Sequence, residues 1–304
     1  ALISGAIADR AKFGSWMVFA GVWVTLVYFP VAAWVWGGGW VMELGNLLGD
    51  YPGVIDYAGG TAVHINAGAA ALALAVVLGR RVVFSKGAHK PHNVPLVLLG
   101  AALLWFGWFG FNAGAEFLAE GMPGVGLIVV NTLGATSAAI LGWMIIEKLK
   151  DGKATAVGAA SGAVTGLVAI TPACANLTPG FALLLGVVAG VISALAVDLK
   201  FKFGYDDSLD VVGIHLVAGL VGTLYLGFFA IDTGLFTGGD FGQLTVQAIA
   251  AVGIMVYSFV VALVLGFAIE KTLGFRVTSE DEVAGIDTAV HGEEGYQLEE
   301  DARV

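Results

Sequence analysis

Two histidines, His64 and His215, lie inside long apolar stretches, and each follows an aspartate by eight positions: Asp56 and Asp207. The local strings, DYAGGTAVHINAG (56–68) and DDSLDVVGIHLVAG (206–219), both end H-x-x-A-G. Ionisable side chains are costly in an apolar span and usually mark a pathway. A neutral imidazole donates one hydrogen bond and accepts one. Such a pair suits a small polar molecule or a relayed proton, not a bare alkali cation that needs a shell of oxygens. Metal binding is the weaker option, because no cysteine or third ligand lies nearby in sequence. The plain alternative is two structural histidines, each bonding a backbone carbonyl.

These residues need apolar elements to hold them, and the composition supplies little else. Of 304 residues, 58% are hydrophobic and only 12% charged, with 45 glycines and a net charge of −10. That excludes a soluble globular enzyme and a disordered chain, and leaves no basic footprint for nucleic acid. The single cysteine, Cys174, cannot form an internal disulfide. Stretches free of Asp, Glu, Lys and Arg run over 13–42, 57–79, 91–115, 121–146, 154–197, 211–231 and 241–269. A span takes about 20 residues, so 154–197 holds two, divided by the turn TPACANLTPG (171–180). The total is eight spans, preceded at 1–9 by what reads as the end of an earlier apolar segment. Residues 1–273 form the membrane domain and 274–304 an acidic tail.

All 14 basic residues fall in alternate loops, while Glu43, Asp50, Glu116, Glu120, Asp232 and Asp240 occupy the others. The positive-inside rule then places both termini in the cytoplasm, and an even span count agrees. Span two runs inward and span seven outward, so Asp56 marks the outer mouth and Asp207 the inner one. Eight helical residues cover about 12 Å, which puts each histidine near mid-membrane. Two similar elements of opposite direction are the mark of an inverted repeat, with the site on the repeat axis. His64 and His215 are therefore expected side by side. Two catalytic aspartates facing each other, as an intramembrane protease requires, are excluded by the opposite placement of Asp56 and Asp207.

Other residues carry two readings each. Asp56 serves as a helix cap or as negative charge near a cation; Asp207 and Asp210 read by default as caps of span seven. Trp34, Trp36 and Trp40 form an interfacial belt or offer a ring face to a cation. In LLWFGWFGFNAGAE (103–116), Trp108 and Phe111 are packing residues or the gate of a narrow lumen. His89, His92 and His291 read as surface residues. The tail is a solvated segment or a docking site for a cytosolic partner.

The string DYAGGTAVHINAGAAALALAVVLGRR (56–81) resembles the signature of the ammonium transporter (Amt/Mep) family. So do WGGG (36–39), KPHNVP (90–95), GWFGFNAG (107–114), TPACANLTPG and DVVGIHLVAG (210–219). The resemblance implies an all-α polytopic fold of eleven helices with an inverted five-plus-five repeat, of which this chain carries the last eight. It implies a homotrimer in the plasma membrane with one pore per subunit, no cofactor and no enzymatic reaction. Under it His64 and His215 match the twin pore histidines, Trp36 and Asp56 the ammonium recruitment site, Phe111 one of two stacked gate rings, and Trp108 a pore-lining ring. Ala115 departs from the pattern, where the family commonly has serine. The tail string VTSEDEVAGIDTAVHGEEGY (277–296) resembles a family tail that touches neighbouring subunits, near which a PII-type signalling trimer docks in prokaryotes. An ammonium sensor, or an Rh-like gas channel of the same superfamily, are the rival readings; Trp36 and the tail favour the Amt branch.

Overall fold

A computed structural model describes residues 1–85, 90–118, 121–293 and 295. Lys86, His89, Glu120, Glu294, Tyr296, Glu299, Glu300, Asp301 and Arg303, to which the sequence assigns loop, surface or tail roles, lie outside the described residues.

The described chain is helical, with one isolated antiparallel bridge between Ala11 and Arg276. Among the described residues, seven helices are long and apolar enough to cross a membrane: α1 Phe13–Trp36, α2 Gly60–Leu78, α3 Val94–Phe117, α4 Val125–Asp151, α6 Pro179–Phe203, α7 Val212–Phe229 and α8 Phe241–Thr272. Between α4 and α6 lies α5, Ala156–Ile170. The expected eight helices are thus present, but α5 has only 15 residues, about 22 Å against a ~30 Å hydrocarbon layer. It stops where Pro172 removes a backbone donor, and turns through 171–176 fill the remaining depth. Residues 1–9 contribute a short 3-10 helix, Leu2–Ala6.

Local chemistry sets the ends. Asn93 caps α3 by accepting from the Leu96 N–H at 2.9 Å, with Pro95 in the first turn. Thr155 caps α5 through Gly158 N–H, and Asp240 caps α8 through Gly242 N–H. Gly152 closes α4 in the left-handed region at φ +79°.

The packing is graded. The apolar windows of α2 and α7 are 78% and 67% buried, and that of α3 only 6%. The histidine helices therefore lie at the centre, while α3 leaves Phe106 and Leu103 exposed. One apolar core joins α1, α2 and α8, and a second joins α3 through α7. Ile65, Ala69, Val212, Leu216 and Ala251 join the two.

Candidate functional site

Helices α2 and α7 cross at the glycines that end the two H-x-x-A-G strings. A Cβ on Gly68 would lie 2.6 Å from the Leu216 amide nitrogen; a Cβ on Gly219 would lie 3.2 Å from the Gly60 carbonyl oxygen and from His64 Cβ. Each helix thus passes over the residues beside the other's histidine. At the crossing, His64 Nδ1 and His215 Nδ1 are 3.2 Å apart, with rings 5.3 Å apart and 18° from parallel. Both histidines are buried, and His64 Nε2 has no protein partner. A buried polar atom left open in this way is a place for a polar ligand. The pair expected from the two matched strings is therefore formed.

Both histidines sit in single π-helical turns, Gly60–Ile65 and Val212–Leu216, a distortion that recurs at functional sites. The helix does not run from Asp56: α2 begins at Gly60, so His64 lies about 6 Å into it and not the ~12 Å expected from the eight-residue spacing. Residues 56–59 instead fold back, with Gly59 at φ +121°, so that Asp56 can reach over the first turn.

Aromatic rings cover His64 on the Asp56 side. Trp108 stacks on it at 5.4 Å and 12°, and Phe111 tilts against it at 6.3 Å. Trp108 is fixed by an indole N–H to Thr171 Oγ1 bond of 2.9 Å. Thr171 in turn donates to the Leu167 carbonyl at 2.7 Å, and Asn112 donates to Thr132 at 3.0 Å in the same buried network. Trp108 is thus fixed by its indole hydrogen bond, whereas Phe111, 43% exposed, is held by packing alone.

Beyond Phe111 opens a cavity of about 680 Å³ lined by Trp36, Asp56, Tyr57, Val63, Phe111 and Ala115, among others. Asp56 caps the helix. Its carboxylate accepts from the backbone N–H groups of Gly59, Gly60, Thr61 and Ala62 and from the Thr61 hydroxyl. Its field reaches the cavity, yet neither oxygen is free. The Trp36 indole N–H donates to the Asp56 carbonyl at 2.8 Å, and the ring stays 42% exposed. Trp34 and Trp40 pack on each other, and Trp34 also meets Tyr257 edge-on; of the three tryptophans only Trp36 lines the cavity.

The profile of the Ammonium Transporter Family matches residues 1–296. The chain belongs to this family. It is 54% identical to an ammonium transporter of Mycobacterium tuberculosis over 98% of its own length, and spans 65% of that relative. A solved structure titled Sensor Amt Protein covers 95% of the chain and is itself covered to 73%, at 30% identity and a TM-score of 0.85. The Candida albicans Mep2 structure matches 92% of the chain and is covered to 63%, at 34% identity and a TM-score of 0.81.

At the opposite end of this ammonium-transporter-family chain, Asp207 and Asp210 behave differently from each other. Asp207 caps α7 through Val212 N–H at 2.7 Å, but its second oxygen is buried without a partner. Burial, with the charge of Asp210, pushes its pKa up to about 6. Asp210 does not cap; its carboxylate pairs with Lys200 Nζ at 2.6 Å. Nearby, Asp206 is fully buried between two arginines that the sequence offered only as orientation signals. Arg81 grips it through N, Nε and Nη2 at 2.7–2.9 Å, and the fully buried Arg10 donates to its carbonyl. Burial alone would raise the Asp206 carboxyl, but the Arg81 hydrogen bonds and both arginine charges hold it below the usual range.

The first turns of the tail are docked, not solvated. Lys12 N–H donates to the Phe275 carbonyl and Val277 N–H to the Arg10 carbonyl. Phe275 is fully buried, and Arg276 pairs with Glu282, which also accepts from Val82 N–H. His291 is exposed, as expected.

Proposed function

We propose that the protein conducts ammonium, as ammonia, through a membrane past His64 and His215. The observation that carries this reading is the twin-histidine contact, built by two matched strings on helices of opposite direction and open at His64 Nε2. A desolvated cation in a narrow apolar lumen is costly. Ammonium has an escape that potassium lacks: it can give up its proton. Trp36 receives the cation over its ring, with Asp56 contributing field through the cap. Phe111 is the gate, and Trp108 holds His64 in line. The neutral molecule then passes along the two imidazoles, each able to donate and accept.

The family match and the names of the curated relatives support the cargo. The segregation of basic residues supports cytoplasmic termini in a plasma membrane. The homotrimer and a PII-type partner at the tail belong to the same proposal. A second reading, sensing with output through the tail, is favoured by the likeness to the structure titled Sensor Amt Protein. Deleting 277–304 separates the two: signalling is lost with flux intact if the tail carries the output. The transport reading itself is tested by reconstituting the full-length protein in vesicles and comparing ammonium with potassium gradients. Saturable flux for ammonium alone supports it, and equal flux of both ions refutes it.

A further inference from the structure

The cavity at the Asp56 end holds an acceptor inside one of the family strings, the tyrosine of DYAGG, to which the sequence assigns no role. Asp56 has no oxygen left for a ligand, since five donors fill both. Ala115, on the cavity wall, offers only a methyl group. Tyr57 lines the same cavity and donates its phenol O–H to the Glu116 carboxylate. Glu116 is fixed from behind by the Gly124 N–H at 2.9 Å. The Tyr57 main chain is pinned as well, its N–H donating to the Pro172 carbonyl at 3.1 Å.

A phenol whose proton is committed to a carboxylate presents only lone pairs to its other neighbours, and the charge behind it strengthens the oxygen as an acceptor. An ammonium ion brings N–H donors and a positive charge to that oxygen, and the exposed Trp36 ring lines the same cavity. We propose that Tyr57 is an ammonium-binding residue of this mouth, and that Glu116 is a positioning residue that orients the phenol and adds negative charge. The pair supplies the acceptor that Ala115 does not. This inference rests on the ammonium-conduction reading.

The test uses the full-length protein in lipid vesicles, with ammonium chloride pulses and the evoked current or flux recorded against concentration. Y57F should raise the half-saturating concentration roughly 10- to 100-fold, the worth of one charge-assisted hydrogen bond, with maximal flux within about twofold of wild type. E116Q should shift it in the same direction but less, because the amide oxygen still accepts. Adding A115S to Y57F should return half-saturation towards the wild-type value by placing another acceptor on the cavity wall. An unchanged half-saturation in Y57F overturns the proposal. So does a loss of maximal flux at constant half-saturation, which marks a packing residue. A wild-type protein without ammonium-dependent flux removes the conduction reading first, and the two failures are therefore distinct.

Discussion

Replacing Gly68 with alanine places a methyl where α7 passes. The new Cβ would lie 2.6 Å from both the amide nitrogen and Cβ of Leu216 and 2.8 Å from its Cα, which is 0.8 Å short of the 3.4 Å where ordinary contact begins. Its neighbours are mostly backbone, so no rotamer change relieves the overlap. If α2 and α7 part by that amount, the 3.2 Å contact between the histidines opens to about 4 Å and ceases to be a hydrogen bond. Overpacking of this kind costs about 1–3 kcal/mol. That cost falls on stability; the flux effect comes from the lost histidine contact, where a barrier raised by about 1.4 kcal/mol slows passage roughly tenfold, so Gly68→Ala is expected to conduct at about a tenth of wild type. Gly219→Ala is the internal control: its nearest contacts are at 3.2 Å, tight by tenths of an ångström, and it should keep more than half the flux. The assay is ammonium flux into vesicles at matched protein density, with thermal unfolding in detergent to confirm folding. A folded Gly68→Ala protein with wild-type flux, or equal losses in the two variants, would refute the argument that the glycine crossing sets the histidine spacing.

Two further perturbations follow from the network around the site. Thr171→Val leaves the buried Trp108 indole N–H unpaired, at a cost of about 1–3 kcal/mol, whereas Thr171→Ser keeps the hydroxyl; thermal unfolding should separate the two, and identical curves would remove the hydrogen bond from the account. Asp207 has its pKa raised by burial to about 6 from 3.8. The fold therefore favours its protonated form, a contribution present at low pH and lost as pH rises through about 6. Relative to Asp207→Asn, wild type should gain about 2 kcal/mol of stability from pH 7 to 4; parallel pH profiles would contradict this.

Much of the site was legible because it repeats. Matched strings at equal distance from an aspartate identify His64 and His215 and imply their meeting, since inverted elements share an axis. Span number follows from charge and length, except that a 15-residue α5 cannot be told from a full span when its turn is also uncharged. Other features are contacts between distant residues that no period encodes. Tyr57 with Glu116, Trp108 with Thr171, and Leu216 against Gly68 are of this kind. The shared glycine of the H-x-x-A-G endings was the available signal for that last contact. Arg10 and Arg81 read as loop charges because topology needs only their sign, while the fold buries both around Asp206. Asp56 was resolvable only by geometry, because a cap and a free carboxylate occupy the same position in sequence.

In the proposed mechanism, ammonium passes as a neutral molecule along the two imidazoles. The most direct measurement is the ammonium-to-potassium selectivity of the full-length protein with His64 and His215 both replaced by alanine, reconstituted beside wild type. Wild type is expected to conduct ammonium and exclude potassium, and the double variant to lose ammonium conduction or begin to pass both ions. A double variant that conducts ammonium at the wild-type rate and still excludes potassium would contradict it.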